Sequence, residues 1–212
     1  MKSGQGSQGN LRIWDARHSV NIPALRQDFT HLCLDRYVKE GFRRKHITRF
    51  INKPHGLMTD KDPERTRLFQ STKYNPVHGN IDRLYPEYLP GPDAMRVINM
   101  FKEITDPPID KRITVQAQRI TCTSCEPGYP SVEDWHCDGA TYIAVMCVDR
   151  KNIIGGFSEF RNADTKEVFF SEILEPGHFA TFQDHDIEHR VTLIASKDMV
   201  NVCHRDVLLM SW

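Results

Sequence analysis

From Arg112 onward the chain alternates apolar with polar residues, the period of a half-buried strand. The pattern predicts strands at Ile113 to Cys122, Thr141 to Val148, Gly156 to Arg161, Val168 to Leu174, Phe179 to Phe182, Arg190 to Ala195 and Val202 to Met210. Turn residues separate them: Glu126-Pro127-Gly128, Asp149-Arg150-Lys151-Asn152, Asn162-Ala163-Asp164, Glu175-Pro176-Gly177 and Ser196-Lys197-Asp198. Short strands at this spacing restrict the fold to a sandwich or barrel, and the double-stranded β-helix (jelly roll) is one such form.

The first half reads differently. Asn21 can cap a helix and Pro23 suits its first turn. Ile22, Leu25, Phe29, Leu32 and Cys33 continue at helical spacing until Gly41 stops it. A second helix starts at Pro92-Asp93, carries Ala94, Val97, Ile98, Phe101 and Ile104 as its stripe, and ends at Pro107-Pro108. Asn52 to Pro90 is polar and rich in turn residues, hence loops and short strands. The predicted organisation is a disordered leader over 1–20 and one domain over 21–212. That domain is helical and loop-rich over 21–110, with a β core over 111–212. Helices outside a sheet make the class α+β, mainly β.

A length of 212 residues allows one substantial core. Lys+Arg and Asp+Glu are both 28, so no net field draws nucleic acid or anionic lipid. No apolar run approaches membrane-spanning length, and no secretion signal opens the chain. Cys33, Cys122, Cys125, Cys137, Cys147 and Cys203 are therefore expected as reduced thiols in the cytoplasm. Cys122-Thr123-Ser124-Cys125 lacks a second pair at zinc-ribbon distance and reads as incidental. Arg43-Arg44-Lys45-His46 reads as a solvated face; its best functional case is an anionic group of a substrate.

Two short signals carry chemistry: Trp135-His136-Cys137-Asp138-Gly139 and Glu188-His189-Arg190-Val191. Residues i and i+2 of a strand share a face, so His136 and Asp138 can reach one ion while Cys137 turns away. His189 opens a later apolar face with Val191 and Leu193. Two imidazoles and one carboxylate hold a metal on one side and leave positions for substrate and O₂, the design of non-haem Fe(II) oxygenases. Zinc hydrolases use the same donors, so zinc stays open. Arg205 alternates with Cys203, Val207 and Leu209. A guanidinium on an apolar face requires a partner. A dicarboxylate cosubstrate would supply one through a bidentate fork, and so would a structural pair with Asp206 or Glu172. Asp184, Asp186 and Glu188 either orient the distal imidazole or form a solvated turn. Asn152-Ile153-Ile154-Gly155-Gly156 reads as a hairpin whose glycines allow close backbone approach, or as an ordinary turn.

Taken in order, these segments resemble the 2-oxoglutarate/Fe(II)-dependent dioxygenase family of free amino-acid hydroxylases, the L-isoleucine 4-hydroxylase-like group. The resemblance runs from about Asp35 to the end. It rests on Asp35-Arg36-Tyr37, Gly41-Phe42-Arg43-Arg44, Phe69-Gln70-Ser71, Tyr74-Asn75-Pro76, Gly79 and Arg83 in the first half. Gln118-Arg119, Glu133, His136-Cys137-Asp138-Gly139, Asn152 to Gly156, His189-Arg190-Val191-Thr192 and Arg205-Asp206-Val207-Leu208 complete it.

The resemblance implies a jelly-roll core with flanking N-terminal helices and Fe(II) on His136, Asp138 and His189. It implies 2-oxoglutarate anchored by Arg205, O₂ as co-reactant, and hydroxylation of a small free L-amino acid with release of succinate and CO₂. Such a substrate needs a cation for its carboxylate and an acceptor for its ammonium. Arg119, on a face with Val115 and Ala117, is the candidate for the first, and Glu133 for the second; Trp135 is a third substrate-binding candidate. The alternatives for Arg119 and Glu133 are a structural salt bridge and an exposed loop charge. Alternative functions are desaturation, cyclisation or macromolecule oxidation, or a non-catalytic jelly-roll regulatory protein. Zero net charge and the lack of a basic–aromatic stripe argue against nucleic acid.

Overall fold

Alternating side chains on the long strands sort into two cores on opposite faces of one sheet. The computed structural model describes residues 10–75, 77, 79–198 and 201–212. Its strands are β1 (Arg12–Asp15), β2 (Arg43–Lys53), β3 (Gly56–Thr59), β4 (Arg67–Leu68), β5 (Arg83–Leu84), β6 (Arg112–Cys122) and β7 (Tyr142–Lys151). β8 (Ile153–Gly155), β9 (Ser158–Asn162), β10 (Val168–Glu172), β11 (His178–Gln183), β12 (Ile187–Val191), β13 (Ile194–Ser196) and β14 (Cys203–Ser211) follow. The α-helices are α1 (Ile22–Leu25) and α2 (Pro92–Thr105).

The major sheet has the order β1-β11-β7-β14-β6-β2-β3, and its pairings are antiparallel. A minor sheet, β10-β9-β12, and the β8–β13 pair complete a jelly roll. One face of the major sheet (Val115, Ala117, Ala144, Met146, Leu208) packs on Leu25, Phe29, Val97, Ile98 and Phe101 of the helical layer. The other face (Ile143, Val145, Cys147, Val207) packs on Phe160 and Ile187 of the minor sheet and on Phe182. Helix α2 forms as its sequence predicts. Pro92 opens it, Ala94, Val97, Ile98 and Phe101 are fully buried, and Asp106 ends it in the left-handed region at φ +43°. Each large side chain so buried contributes roughly 1.5–3 kcal/mol.

Four expectations are corrected. The helix read from Asn21 to Gly41 is one turn, α1, followed by a 3₁₀ turn at Arg26–Phe29. Thr30 Oγ1 donates back to the Gln27 carbonyl, and Asp28 is drawn off to accept from Tyr88 Oη and the Gly91 N–H. The leader over 1–20 is structured where it is described: β1 pairs with β11, and Ala16 and Val20 are buried. Residues 1–9 lie outside the described residues. The β core is not confined to 111–212, because β2, eleven residues long, lies between β6 and β3 in the major sheet. Finally, Arg190 to Ala195 is not one strand; β12 and β13 belong to different sheets.

Candidate active site

His136 and His189 meet because their backbones form an antiparallel bridge. The His136 N–H donates to the His189 carbonyl at 3.2 Å, and the His189 N–H donates to the His136 carbonyl at 3.0 Å. Direct cross-strand partners point to the same side, so the two rings lie 4.4 Å apart between centroids. Asp138, two residues beyond His136, joins them. Its Oδ1 is 3.9 Å from His136 Nε2 and its Oδ2 is 3.7 Å from His189 Nε2. These separations are too long for hydrogen bonds. The three donor atoms lie within 4.8 Å of one another, as ligands of one ion do.

The donors are prepared as ligands. Asp134, at φ +62°, turns its carbonyl onto His136 Nδ1 at 2.7 Å. That carbonyl accepts the Nδ1 proton and leaves the Nε2 lone pair free. His189 is packed against Phe182 (5.0 Å) and Phe160 (6.4 Å). Burial and the His136 ring push its pKa down to about 3, so the imidazole is neutral. Burial works against ionisation of Asp138, but His136, His189, Lys45 and the Gln70 amide together hold its carboxyl below the usual range. Cys137 faces the Ile187 carbonyl, and burial pushes its thiol up to about 11.

Asp184 holds the turn that carries these donors. Its buried carboxylate accepts the backbone N–H groups of Asp138 (2.9 Å), Gly139 (2.6 Å) and Ala140 (3.0 Å). Burial and the charge of Asp138 nonetheless raise its pKa to about 6. Gly139 is at φ +83°, and a Cβ there would lie 2.7 Å from the Tyr74 ring, so no larger residue fits.

The triad faces a cavity of about 110 Å³. Arg205 lines it at 2% exposure, and its Nε and Nη2 have no hydrogen-bond partner. Burial lowers its pKa from the usual arginine value. The pair with Asp206 does not form: Asp206 projects from the opposite face and accepts two bonds of 2.7 Å from Arg119. Gly156, at φ +71°, brings the backbone beside this arginine; a Cβ there would be 2.9 Å from Ile194 Cγ2 and 3.6 Å from Arg205 Cδ.

The cavity wall includes residues that the sequence pattern did not single out for it. Arg43 and Lys45 are buried on the inward face of β2, so only the alternate members of the basic cluster face solvent, Arg44 being exposed. The loop after β4 supplies Gln70, Tyr74 and Asn75, and β5 supplies Arg83. Gln70 Nε2 donates to Asp138 Oδ1 at 3.1 Å, while its Oε1 accepts from Arg83 Nη2 at 2.6 Å. Burial, with the charges of Arg43 and Arg83, lowers the Lys45 pKa to about 7. Gln70, Arg43 and Arg83 fall in segments that carry the family resemblance, which is the signal available for them. The i, i+2 spacing of Arg43 and Lys45 is the other.

Two candidates are corrected. Arg119 lies on the helix-facing side of β6, locked to Asp206, and does not line the cavity. Trp135 lies outside the cavity too, with the guanidinium groups of Arg161 (4.4 Å) and Arg190 (4.5 Å) over its ring. Glu133 does line the cavity. Of the acids before His189, Glu188 pairs outward with Arg161 and Lys166.

Residues 26–211 match the family described as 2OG-Fe dioxygenase. No curated protein sequence matches the chain. Among solved structures, a bsmA homolog from Methylobium petroleophilum PM1 aligns at 22% identity over 89% of this chain and 79% of its own, with a TM-score of 0.72. IDO from Bacillus thuringiensis aligns at 18% identity over 95% and 92%, with a TM-score of 0.75. The Fe(II)/(alpha)ketoglutarate-dependent dioxygenase TqaL aligns at 14% identity over 95% and 81%, with a TM-score of 0.63. These likenesses show a shared fold. No helix is long and apolar enough to cross a membrane among the described residues. With the sequence match spanning most of its length, the chain belongs to the 2OG-Fe dioxygenase family, which implies Fe(II), 2-oxoglutarate and O₂ as its metal and cosubstrates.

Proposed function

We propose that this protein hydroxylates an unactivated C–H bond of a small free L-amino acid, with release of succinate and CO₂. One observation carries the reading: an unpartnered, buried Arg205 lines the same small cavity as His136, Asp138 and His189. His136, Asp138 and His189 hold Fe(II), and Arg205 receives the distal carboxylate of 2-oxoglutarate. When bound, Fe(II) with 2-oxoglutarate and O₂ supplies the oxidising chemistry that the side chains lack.

The chain's own groups set geometry. The Asp134 carbonyl fixes the His136 ring, and Asp184 fixes the turn through its three backbone bonds. Gln70 orients the Asp138 carboxylate, which would serve as one of the metal's ligands. Glu133 is the acceptor for a substrate ammonium. Leu68 and Tyr74 line the same cavity, and positioning the reacting carbon there would be the protein's main contribution. A cytoplasmic location belongs to the same proposal, supported by six free cysteines.

The test is aerobic incubation with Fe(II), 2-oxoglutarate and a panel of L-amino acids, read by mass spectrometry. The expected result is succinate together with one amino acid heavier by about 16 units, one oxygen atom. Succinate coupled to a macromolecule, or to an amino acid that loses hydrogen, would replace this reading.

A further inference from the structure

Among the described residues, the buried lysine and arginine side chains are Arg43, Lys45, Arg83 and Arg205. All of them line one cavity. An enclosed cation without a carboxylate is costly, so each must be accounted for. Arg43 has its partner, because Nε donates to Asp35 at 2.7 Å. Arg205 is assigned to the distal carboxylate of 2-oxoglutarate, whose other carboxylate belongs to the metal. Lys45 and Arg83 are left. Neither makes an ion pair among the described residues; Lys45 is beside the Tyr85 ring, 5.2 Å from its centroid. Arg83 Nη2 donates to the neutral Gln70 amide, and its Nε has no partner.

We propose that Lys45 and Arg83 form a second anion subsite, which takes the carboxylate of the organic substrate beside the triad. The assignment rests on the proposed function, since that reading removes Arg205 and both cosubstrate carboxylates from the count. One planar oxyanion shared by an ammonium and a guanidinium fork suits a cavity of about 110 Å³. Amides of Gln70 and Gln118 flank it, and Glu133 supplies an acidic group on the same wall. Asp138 and Lys45 attract each other across the cavity. A bound dication takes up the Asp138 charge, so Lys45 then keeps Asp35 but loses one of its two counter-charges. Metal loading therefore strengthens carboxylate binding, and the two bind cooperatively.

The experiment uses wild type, K45M, K45R, R83M and R205M, loaded with Mn(II) as a redox-inert stand-in. Calorimetry measures 2-oxoglutarate affinity. On the Mn(II)–2-oxoglutarate protein, Tm shifts and calorimetry then compare 4-methylpentanoate, its carboxamide and L-leucine. Wild type is expected to bind the acid but not the amide. K45M and R83M lose that binding by about tenfold or more and keep 2-oxoglutarate within about threefold. K45R restores it, and R205M loses 2-oxoglutarate instead. K45M should also melt no lower than wild type without ligand, because it removes an unpaired buried charge. L-Leucine binding more tightly than 4-methylpentanoate identifies an amino acid as the source of the carboxylate; the reverse identifies a simple acid, with the subsite intact. Equal binding of acid and amide, or unchanged binding in both K45M and R83M, overturns the subsite. So does a loss of 2-oxoglutarate in K45M equal to that in R205M. A folded wild type that binds neither Mn(II) nor 2-oxoglutarate overturns the proposed function first, and the subsite with it.

Discussion

Among the described residues, two clusters of His and Asp lie on opposite faces of the major sheet, and they differ in how their charges are met. On the cavity face, His136, Asp138 and His189 approach without touching, and the orphaned Arg205 lines the same space. On the helix face, Asp149, His204 and Asp206 offer a similar donor set within 4.8 Å. There the charges are already met. Arg119 grips Asp206 with two bonds of 2.7 Å, Arg26 lies 3.1 Å from Asp149, and His204 Nε2 is 3.0 Å from Asp149. The two carboxylates face two guanidinium groups, so a dication entering would have to displace both arginines. Donor type and proximity are therefore insufficient to define a metal site. What separates the two regions is whether the charges are answered from within the protein.

The largest difference should appear when each cluster loses a carboxylate. Asp138→Ala is expected to reduce Fe(II)-dependent succinate production to background while leaving thermal stability without metal near that of wild type. Asp206→Ala should do the opposite. It leaves the partly buried Arg119 without its acceptor, which lowers stability by about 1–3 kcal/mol in denaturant titrations, while the folded fraction keeps its turnover. If Asp206→Ala abolished turnover at full folding, the helix-face cluster would be more than structural. Asp184→Asn is expected to have an intermediate effect, about 10–100-fold in metal affinity, because an amide replaces the charged acceptor of three backbone donors. Calorimetry with Mn(II) measures it, and an unchanged affinity would show that the turn holds itself. The smallest effect belongs to Trp135→Leu. Losing two cation–π contacts costs about 1–2 kcal/mol of stability, with the substrate KM unchanged within about twofold. A large rise in KM would return Trp135 to the site.

The same contrast explains what could be read from the sequence. The long strands after Arg112 were legible because one face of β6, β7 and β11 is apolar and buried. β2 was not, because two of its inward residues are Arg43 and Lys45, and a charge at a buried position breaks the alternation that marks a strand. The first helix was overextended because Leu32 is buried in the same core as Leu25 and Phe29 without continuing their helix. The triad was visible because H-x-D and a later His each sit in local extended segments. Arg119 was placed on the right strand face, with Val115 and Ala117, but no local pattern says that this face turns toward helices. Trp135 is adjacent to His136, so alternation already directs it to the opposite side. Lys45 and Arg83 come from distant segments, and only the fold brings them to the cavity.

The central claim is that Fe(II) and 2-oxoglutarate share one site made by the cavity-face cluster and Arg205. Anaerobic addition of both to the purified protein tests it through the visible charge-transfer band of an Fe(II)–2-oxoglutarate chelate. The band should form in wild type and in folded Asp206→Ala, vanish in His189→Ala, and require much more 2-oxoglutarate in Arg205→Met. A folded wild type without the band, or a His189→Ala variant that retains it, would contradict the account.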